Sequence, residues 1–156
     1  MGSARAHEVS SAPATVSDAE DWLAMRTVLW PEGSLSEHRA EIKAMLSAPG
    51  ETITFIARNG HGAALGFIEA AVRRDYVNGC ETSPVAFVEG IFVLPSSRGR
   101  GVARALIASV EQWGREQGCS ELASDTAPDN LASQSMHKAL GFVETERVVF
   151  FKKLLA

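Results

Sequence analysis

The apolar stretch Val85 to Leu94 ends at Pro95 and opens into Ser96-Ser97-Arg98-Gly99-Arg100-Gly101, after which amphipathic spacing begins at Val102. Two glycines let a backbone approach a ligand closely, and two arginines supply charge-assisted hydrogen bonds. The unpaired first-turn amides of a helix starting there would favour an anion. These residues suit the cradling of a phosphate or pyrophosphate, although a plain strand-to-helix turn with solvated arginines fits them as well. Two nucleotide alternatives lack their anchors. No G-x-x-x-x-G-K-S/T occurs, and a G-x-G-x-x-G pattern begun at Gly99 fails at Arg104.

A second set of residues suits a cation and a proton. Glu89 interrupts the apolar run, and Asp125 closes another short one, Cys119 to Thr126. A carboxylate in a buried strand is costly unless it is paired or used, so both are candidates to bind a cation or accept a proton. A strand-end acid that points to water is the alternative for each. Trp30 and Tyr76 could face a ring, but an isolated aromatic commonly belongs to a core. Glu146, in the charged run Glu144-Thr145-Glu146-Arg147, reads as surface. His137 lies on a helical pattern near the core, where a histidine is commonly structural. His7, His38 and His61 share no metal-ligand spacing, so no metal is expected. Cys80 and Cys119 form neither a CxxC pair nor a disulfide framework, and neither lies in a nucleophile motif.

The elements that must position these groups follow from spacing. Ser17 to Glu20 resembles a capping box ahead of a helix that Pro31 stops, and Ser36 can cap a second helix reaching about Ser47. Thr52–Ala57 and Ala64–Arg74 read as a hairpin across Asn59-Gly60-His61-Gly62. Val85–Leu94 is the expected central strand. Val102 begins a strongly amphipathic helix ended by Gly118, Cys119–Thr126 is a short strand, and Asp129–Leu140 is a helix ended by Gly141. Phe142–Glu144 and Val148–Leu155 are the expected last strands. Residues 1–12 read as a flexible tail and 13–156 as one domain, an α/β fold.

Arg98-Gly99-Arg100-Gly101-Val102-Ala103 after an apolar strand resembles the acetyl-CoA pyrophosphate motif of the GNAT superfamily of N-acetyltransferases, Arg/Gln-x-x-Gly-x-Gly/Ala. Asn130-x-x-Ser133-x-x-x-His137-x-x-Leu140-Gly141-Phe142 resembles its downstream helix motif, in the expected order and spacing. Leu29-Trp30-Pro31, Asp75 to Cys80, Phe87 to Pro95 and Ala123-Ser124-Asp125-Thr126 are similar to the aminoglycoside 6′-N-acetyltransferases within it. The resemblance implies a GNAT fold, a twisted mixed sheet whose central strand splays to admit a pantetheine arm, with helices on both faces. It implies acetyl transfer from acetyl-CoA, as cosubstrate, to the 6′-amino group of an aminoglycoside antibiotic, and so resistance. Trp30, Tyr76, Glu89, Asp125 and Glu146 would line the acceptor pocket. The backbones of Ile91, Phe92 and Val93 would bond the pantetheine arm. Arg98, Gly99, Arg100, Gly101, Val102 and Ala103 would hold the pyrophosphate, and Asn130 would contact the cosubstrate. Where many relatives carry a tyrosine that protonates the leaving thiolate, this sequence has His137. Many relatives are dimers, so a homodimer is an expectation that no stripe in the sequence supports alone.

An alkylammonium like that of lysine, with a pKa of about 10.4, must lose a proton before it attacks a thioester, which costs about 4–5 kcal/mol at pH 7. Glu89 or Asp125, directly or through water, is the candidate base, and a strand amide near Ile91–Val93 is the candidate to polarise the thioester carbonyl. Two other readings share the cradle: transfer to a protein N-terminus, a lysine or a small polyamine, and a CoA-binding module without transfer.

Composition is consistent with this frame. At 156 residues, 46% of them hydrophobic and 22% charged, the chain fits one globular domain. A net charge of −4 argues against nucleic acid as partner and suits a cationic ligand no worse. No apolar run approaches the roughly 18 residues of a membrane span, so neither a membrane partner nor export is expected, and the expected location is the cytoplasm.

Overall fold

The computed structural model describes residues 2–156. A five-stranded sheet runs β1 (Ser10–Pro13), β2 (Thr52–Arg58), β3 (Ala64–Arg73), β4 (Val85–Val93), β5 (Leu122–Ser124), in sequence order. Its first three junctions are antiparallel, and β4–β5 is parallel. Helix α4 (Val102–Glu116) makes the crossover that a parallel pair requires.

Alternation along the strands divides the core into two layers. Phe55, Ala57, Ile68 and Ala70 pack with Leu106, Ile107, Val110 and Trp113 of α4. The opposite face, with Ile56, Phe67 and Phe92, packs against Trp22, Leu23 and Met25 of α2 (Ala19–Leu29) and Ile42 of α3 (Leu35–Ser47). Helices therefore cover both faces, as the resemblance implies. Helix α5 (Leu131–Ala139) follows β5.

Several boundaries move. The capping box before α2 belongs to Thr15 and Asp18, and that of α3 to Ser34 and Glu37, because each N3 carboxylate reaches back to its cap amide. Much of the tail expected over 1–12 carries secondary structure, and Met1 lies outside the described residues. Gly2–His7 form helix α1, whose Arg5 carbonyl accepts from the Gly60 amide at 2.8 Å, and Ser10–Pro13 pair with β2 as the edge strand. Cys119–Thr126 contracts to three paired residues.

The largest correction concerns the last strands. Phe142–Glu144 and Val148–Leu155 form no strand, and residues 142–156 lie outside the sheet. A strand is defined by its ladder, and no strand among the described residues pairs with this segment. Phe150 and Phe151 are 88% and 92% exposed, and Val149, Leu154 and Leu155 are also exposed.

Candidate functional site

The site begins with one extra residue in β4. Glu69 of β3 pairs with Gly90, whereas Ala70 pairs with Val88, so Glu89 is the unpaired residue of a bulge. The bulge explains how a carboxylate can interrupt an apolar strand: the local kink turns Glu89 out of the core. Arg73 answers its charge, its Nη2 donating to both Glu89 oxygens at 3.0 and 2.9 Å while the guanidinium lies 3.5 Å over the Phe87 ring. Arg73 escaped the reading of the sequence, since an arginine at a strand end carries no distinguishing signal.

Immediately beyond the bulge the sheet forks. β5 pairs with β4 only through Ala86–Leu122, Phe87–Ala123 and Val88–Ser124. Past that point β4 continues to Val93 with β3 on one side and, among the described residues, no strand on the other. The exposed edge opens on a cleft of about 760 Å³. Ile91, Phe92, Val93, Arg98, Gly99, Gly101, Val102, Ala103 and Asn130 all line it; Arg100 does not. Gly99 and Gly101 have φ of 75° and 82°, and a Cβ on either would meet nothing within 4 Å. The turn is thus bare left-handed backbone leading into the N-terminus of α4, which fits a pyrophosphate. Arg98 Nε donates to the Val93 carbonyl at 3.1 Å, tying the turn to the strand end. Asn130 spends its carboxamide oxygen as the cap of α5, accepting from the Ser133 amide at 3.1 Å.

A second cleft, about 1080 Å³, runs along the free edge of β5. Its lining includes Tyr76, Asp125 and Glu146 and, beside β5, the apolar or small Val110, Gly114, Cys119 and Leu122. The five expected acceptor residues are consequently divided. Trp30 and Glu89 line the first cleft, Tyr76 and Glu146 the second, and Asp125 lines both. Asp125 makes no ion pair among the described residues, unlike Glu89.

Trp30 is braced from behind by a buried polar chain. Arg26, His38 and Glu69 are each about 5% exposed or less, and Trp22 is fully buried. Trp22 Nε1 and Arg26 Nε donate to Glu69 Oε2 at 2.9 and 2.6 Å. Arg26 Nη1 donates to His38 Nδ1 at 2.8 Å, which leaves the Nε2 proton to donate to the Trp30 carbonyl at 3.0 Å. Burial works against the Arg26 charge, but the hydrogen bonds and charges of Glu69 and Glu41 outweigh it and hold its pKa above the ordinary arginine value. The Trp30 ring lies over Gly90, where a Cβ would overlap Cζ2, with Arg26 4.8 Å from its centroid. Glu69 breaks an apolar strand just as Glu89 does, so the signal that found one was available for the other.

His137 presents no free nitrogen to either cleft. Nδ1 donates to the Ser133 carbonyl at 2.7 Å, so Nε2 accepts from the Ser124 hydroxyl, also at 2.7 Å. The Phe142 ring meets the imidazole edge-on at 5.1 Å. Both thiols are unsuited to nucleophilic attack. Burial and the Glu121 charge push the Cys80 pKa up, and burial does the same for Cys119.

Known proteins share this fold. Residues 19–142 match the acetyltransferase (GNAT) family. An aminoglycoside N(6′)-acetyltransferase type 1 of Serratia marcescens is 58% identical over 134 residues, 86% of this chain and 91% of the relative. The solved structure of AAC(6′)-Iy in complex with a bisubstrate analog, CoA-S-monomethyl-acetylneamine, superposes with a TM-score of 0.90 at 48% identity, covering 95% of this chain and 99% of that one. The same enzyme in complex with CoA gives 0.89 at 49% identity, with coverage of 94% and 95%.

Proposed function

The chain belongs to the acetyltransferase (GNAT) family, and from that premise we propose that its two clefts bring acetyl-CoA and a cationic aminoglycoside together at the fork between β4 and β5. It is an acyltransferase that moves an acetyl group from acetyl-CoA to the 6′-amino group of aminoglycoside antibiotics and thereby confers resistance. The observation that carries the assignment of groups is the convergence of both clefts on Ser124 and Asp125.

Acetyl-CoA supplies the thioester. The bare Gly99–Gly101 backbone and the N-terminus of α4 bind its pyrophosphate, and the unpaired edge of Ile91–Val93 offers amides to its arm and to the thioester carbonyl. Trp30 faces a sugar ring. Glu89, already paired with Arg73, orients the cation, and the unpaired Asp125 accepts the proton that the 6′-ammonium must lose before it attacks. Tyr76 and Glu146 hold the remainder of the polycation. Direct attack without a covalent enzyme intermediate is supported by the protonated, half-buried and buried thiols.

The chain works as a homodimer in this reading. The exposed apolar residues of 142–156 are occupied by a second copy, whose own C-terminal segment lies on the apolar lining beside β5. No helix among the described residues is long and apolar enough to cross a membrane, and the need for acetyl-CoA favours the cytoplasm. The single acetyltransferase domain then includes the edge strand from Ser10.

The primary test is CoA release with kanamycin-type acceptors, followed by locating the acetylated nitrogen. Acetylation at the 6′-nitrogen is expected; acetylation elsewhere overturns the acceptor geometry. Asp125→Asn should lower kcat about 100-fold, and an unchanged rate at every pH removes Asp125 as base. Sedimentation at twice 16.7 kDa is expected, and a species of 16.7 kDa overturns the dimer.

A further inference from the structure

Five residues line both clefts: Ser124, Asp125, Thr126, His137 and Leu140. Among them only Ser124 and His137 form a hydrogen-bonded pair of hydroxyl and imidazole, and Ser124 is the last residue of β5 paired with β4, at the apex of the fork. We propose that Ser124 is a catalytic residue of the acetyl transfer, the hydroxyl that carries a proton from the attacking nitrogen to the departing sulfur, with His137 holding that proton in transit. This rests on the acetyltransferase reading above and adds a step that Glu89 and Asp125 leave open.

The balance of protons defines the step. An ammonium loses one proton before attack, and Asp125 takes it. When the neutral nitrogen bonds to the acetyl carbon it becomes positive and must lose a second proton, while the breaking C–S bond sends its electron pair to sulfur. Ser124 Oγ takes the proton from nitrogen as its own passes to His137 Nε2; the reverse passage then delivers a proton to the thiolate. Nitrogen ends as a neutral amide, sulfur as a thiol, Ser124 and His137 return to their starting states, and Asp125 releases its proton to solvent as the net proton of the reaction. No oxidant, metal or further reactant is needed.

The imidazole is set for this use. The backbone of α5 fixes its tautomer: the Ser133 carbonyl, one turn earlier, takes the Nδ1 proton at 2.7 Å, which leaves Nε2 as the acceptor toward Ser124. Phe142 supports the ring on its edge, so its orientation does not depend on the ligand. The alternative is that Ser124 merely satisfies a half-buried histidine. That role predicts a loss of stability on removal, and no change in proton transfer.

The test uses the full-length enzyme with acetyl-CoA and a kanamycin-type acceptor. Ser124→Ala should lower kcat about 100-fold with both KM values within a factor of about three, and Ser124→Thr, which keeps the hydroxyl, should restore most of it. His137→Gln can accept the Ser124 hydrogen bond through Oε1 but cannot take up its proton, so it should lose as much as Ser124→Ala. The solvent deuterium isotope effect on kcat should change in both. Independently of activity, nitrogen NMR should show His137 protonated at Nδ1, with the Nε2 resonance shifting in Ser124→Ala. Wild-type turnover with kcat and isotope effect unchanged in Ser124→Ala overturns the relay alone, as does a His137→Gln variant with full activity. A wild-type enzyme that acetylates no amine overturns the acetyltransferase reading, and the relay with it.

Discussion

Two walls flank the fork, and they are built in opposite ways. Behind Trp30, every polar atom of the Trp22–Glu69–Arg26–His38 chain has a partner, and the charges are almost wholly buried. Across the second cleft, residues 142–156 present Phe150, Phe151, Leu154 and Leu155 to solvent and belong to no ladder. The first wall is rigid within one chain, because a buried charge set tolerates no partial satisfaction. The second leaves large apolar side chains unburied among the described residues. An aromatic platform can therefore be fixed by the fold of a single chain, while in the proposed dimer the rim near Glu146 would take its final shape from assembly.

Breaking the first wall should have the largest effect. Glu69→Ala leaves the Arg26 guanidinium without its main buried partner and should cost about 3–5 kcal/mol in chemical denaturation. A loss below about 1 kcal/mol would show that water reaches this side.

Gly90→Ala tests the same wall without touching its charges. The added methyl overlaps the Trp30 ring, and displacing it should cost about 1–3 kcal/mol. The aminoglycoside KM should rise by at least tenfold, and the acetyl-CoA KM should change less. Equal rises in both would mean that the bulge, rather than Trp30, is what the methyl disturbs.

Farther from the site, Arg58 ties β2 to Asp18 and Asp21 at the start of α2, which carries both Trp22 and Arg26. Burial raises the Asp18 pKa, but the Thr15 amide and Arg58 outweigh it and hold the carboxyl below its ordinary value. A depressed carboxyl contributes stability that is complete above its unfolded pKa of about 3.9 and is lost as pH falls through the folded value. Asp18→Asn should cost about 1 kcal/mol at pH 7, and its difference from wild type should shrink below about pH 3.9. A difference that persists in acid would assign the effect to packing.

The smallest change in stability is expected on the second wall. Phe150→Asp with Phe151→Asp should alter unfolding of the separated chain by no more than about 0.5 kcal/mol, since both rings are already exposed. The same pair should lower the sedimenting mass toward 16.7 kDa and raise the aminoglycoside KM. A dimer that survives the substitution would move the interface elsewhere.

The sequence was most legible where local rules suffice. The cradle at Arg98–Ala103 was readable because glycine pairs, arginines and a helix start are contiguous, and the cleft contains every one of those positions but Arg100. Glu89 was readable as an anomaly in an apolar run, but its bulge was not, because a bulge is a property of two paired strands. Arg73, Arg26 and His38 were silent for a related reason: each is defined by a partner between 12 and 43 positions away. The pattern in Val148–Leu155 did suggest a strand, yet alternation specifies only that a segment can pair, and the partner is chosen in three dimensions.

Residue type and spacing by themselves determined the α/β class, the strand over Val85–Val93 and the order of helices α2 to α5, because these depend on contacts within one or two turns or on a period of two; that β3 rather than β4 is the middle strand of the sheet was not legible there. Only the tertiary structure decided that β4 and β5 part after Val88 and Ser124, that Glu89 is answered by Arg73, and that the His137 ring nitrogens are taken by Ser133 and Ser124. Those outcomes depend on long-range register and on which buried polar groups find one another, and no single stretch of chain contains both halves of such a pair.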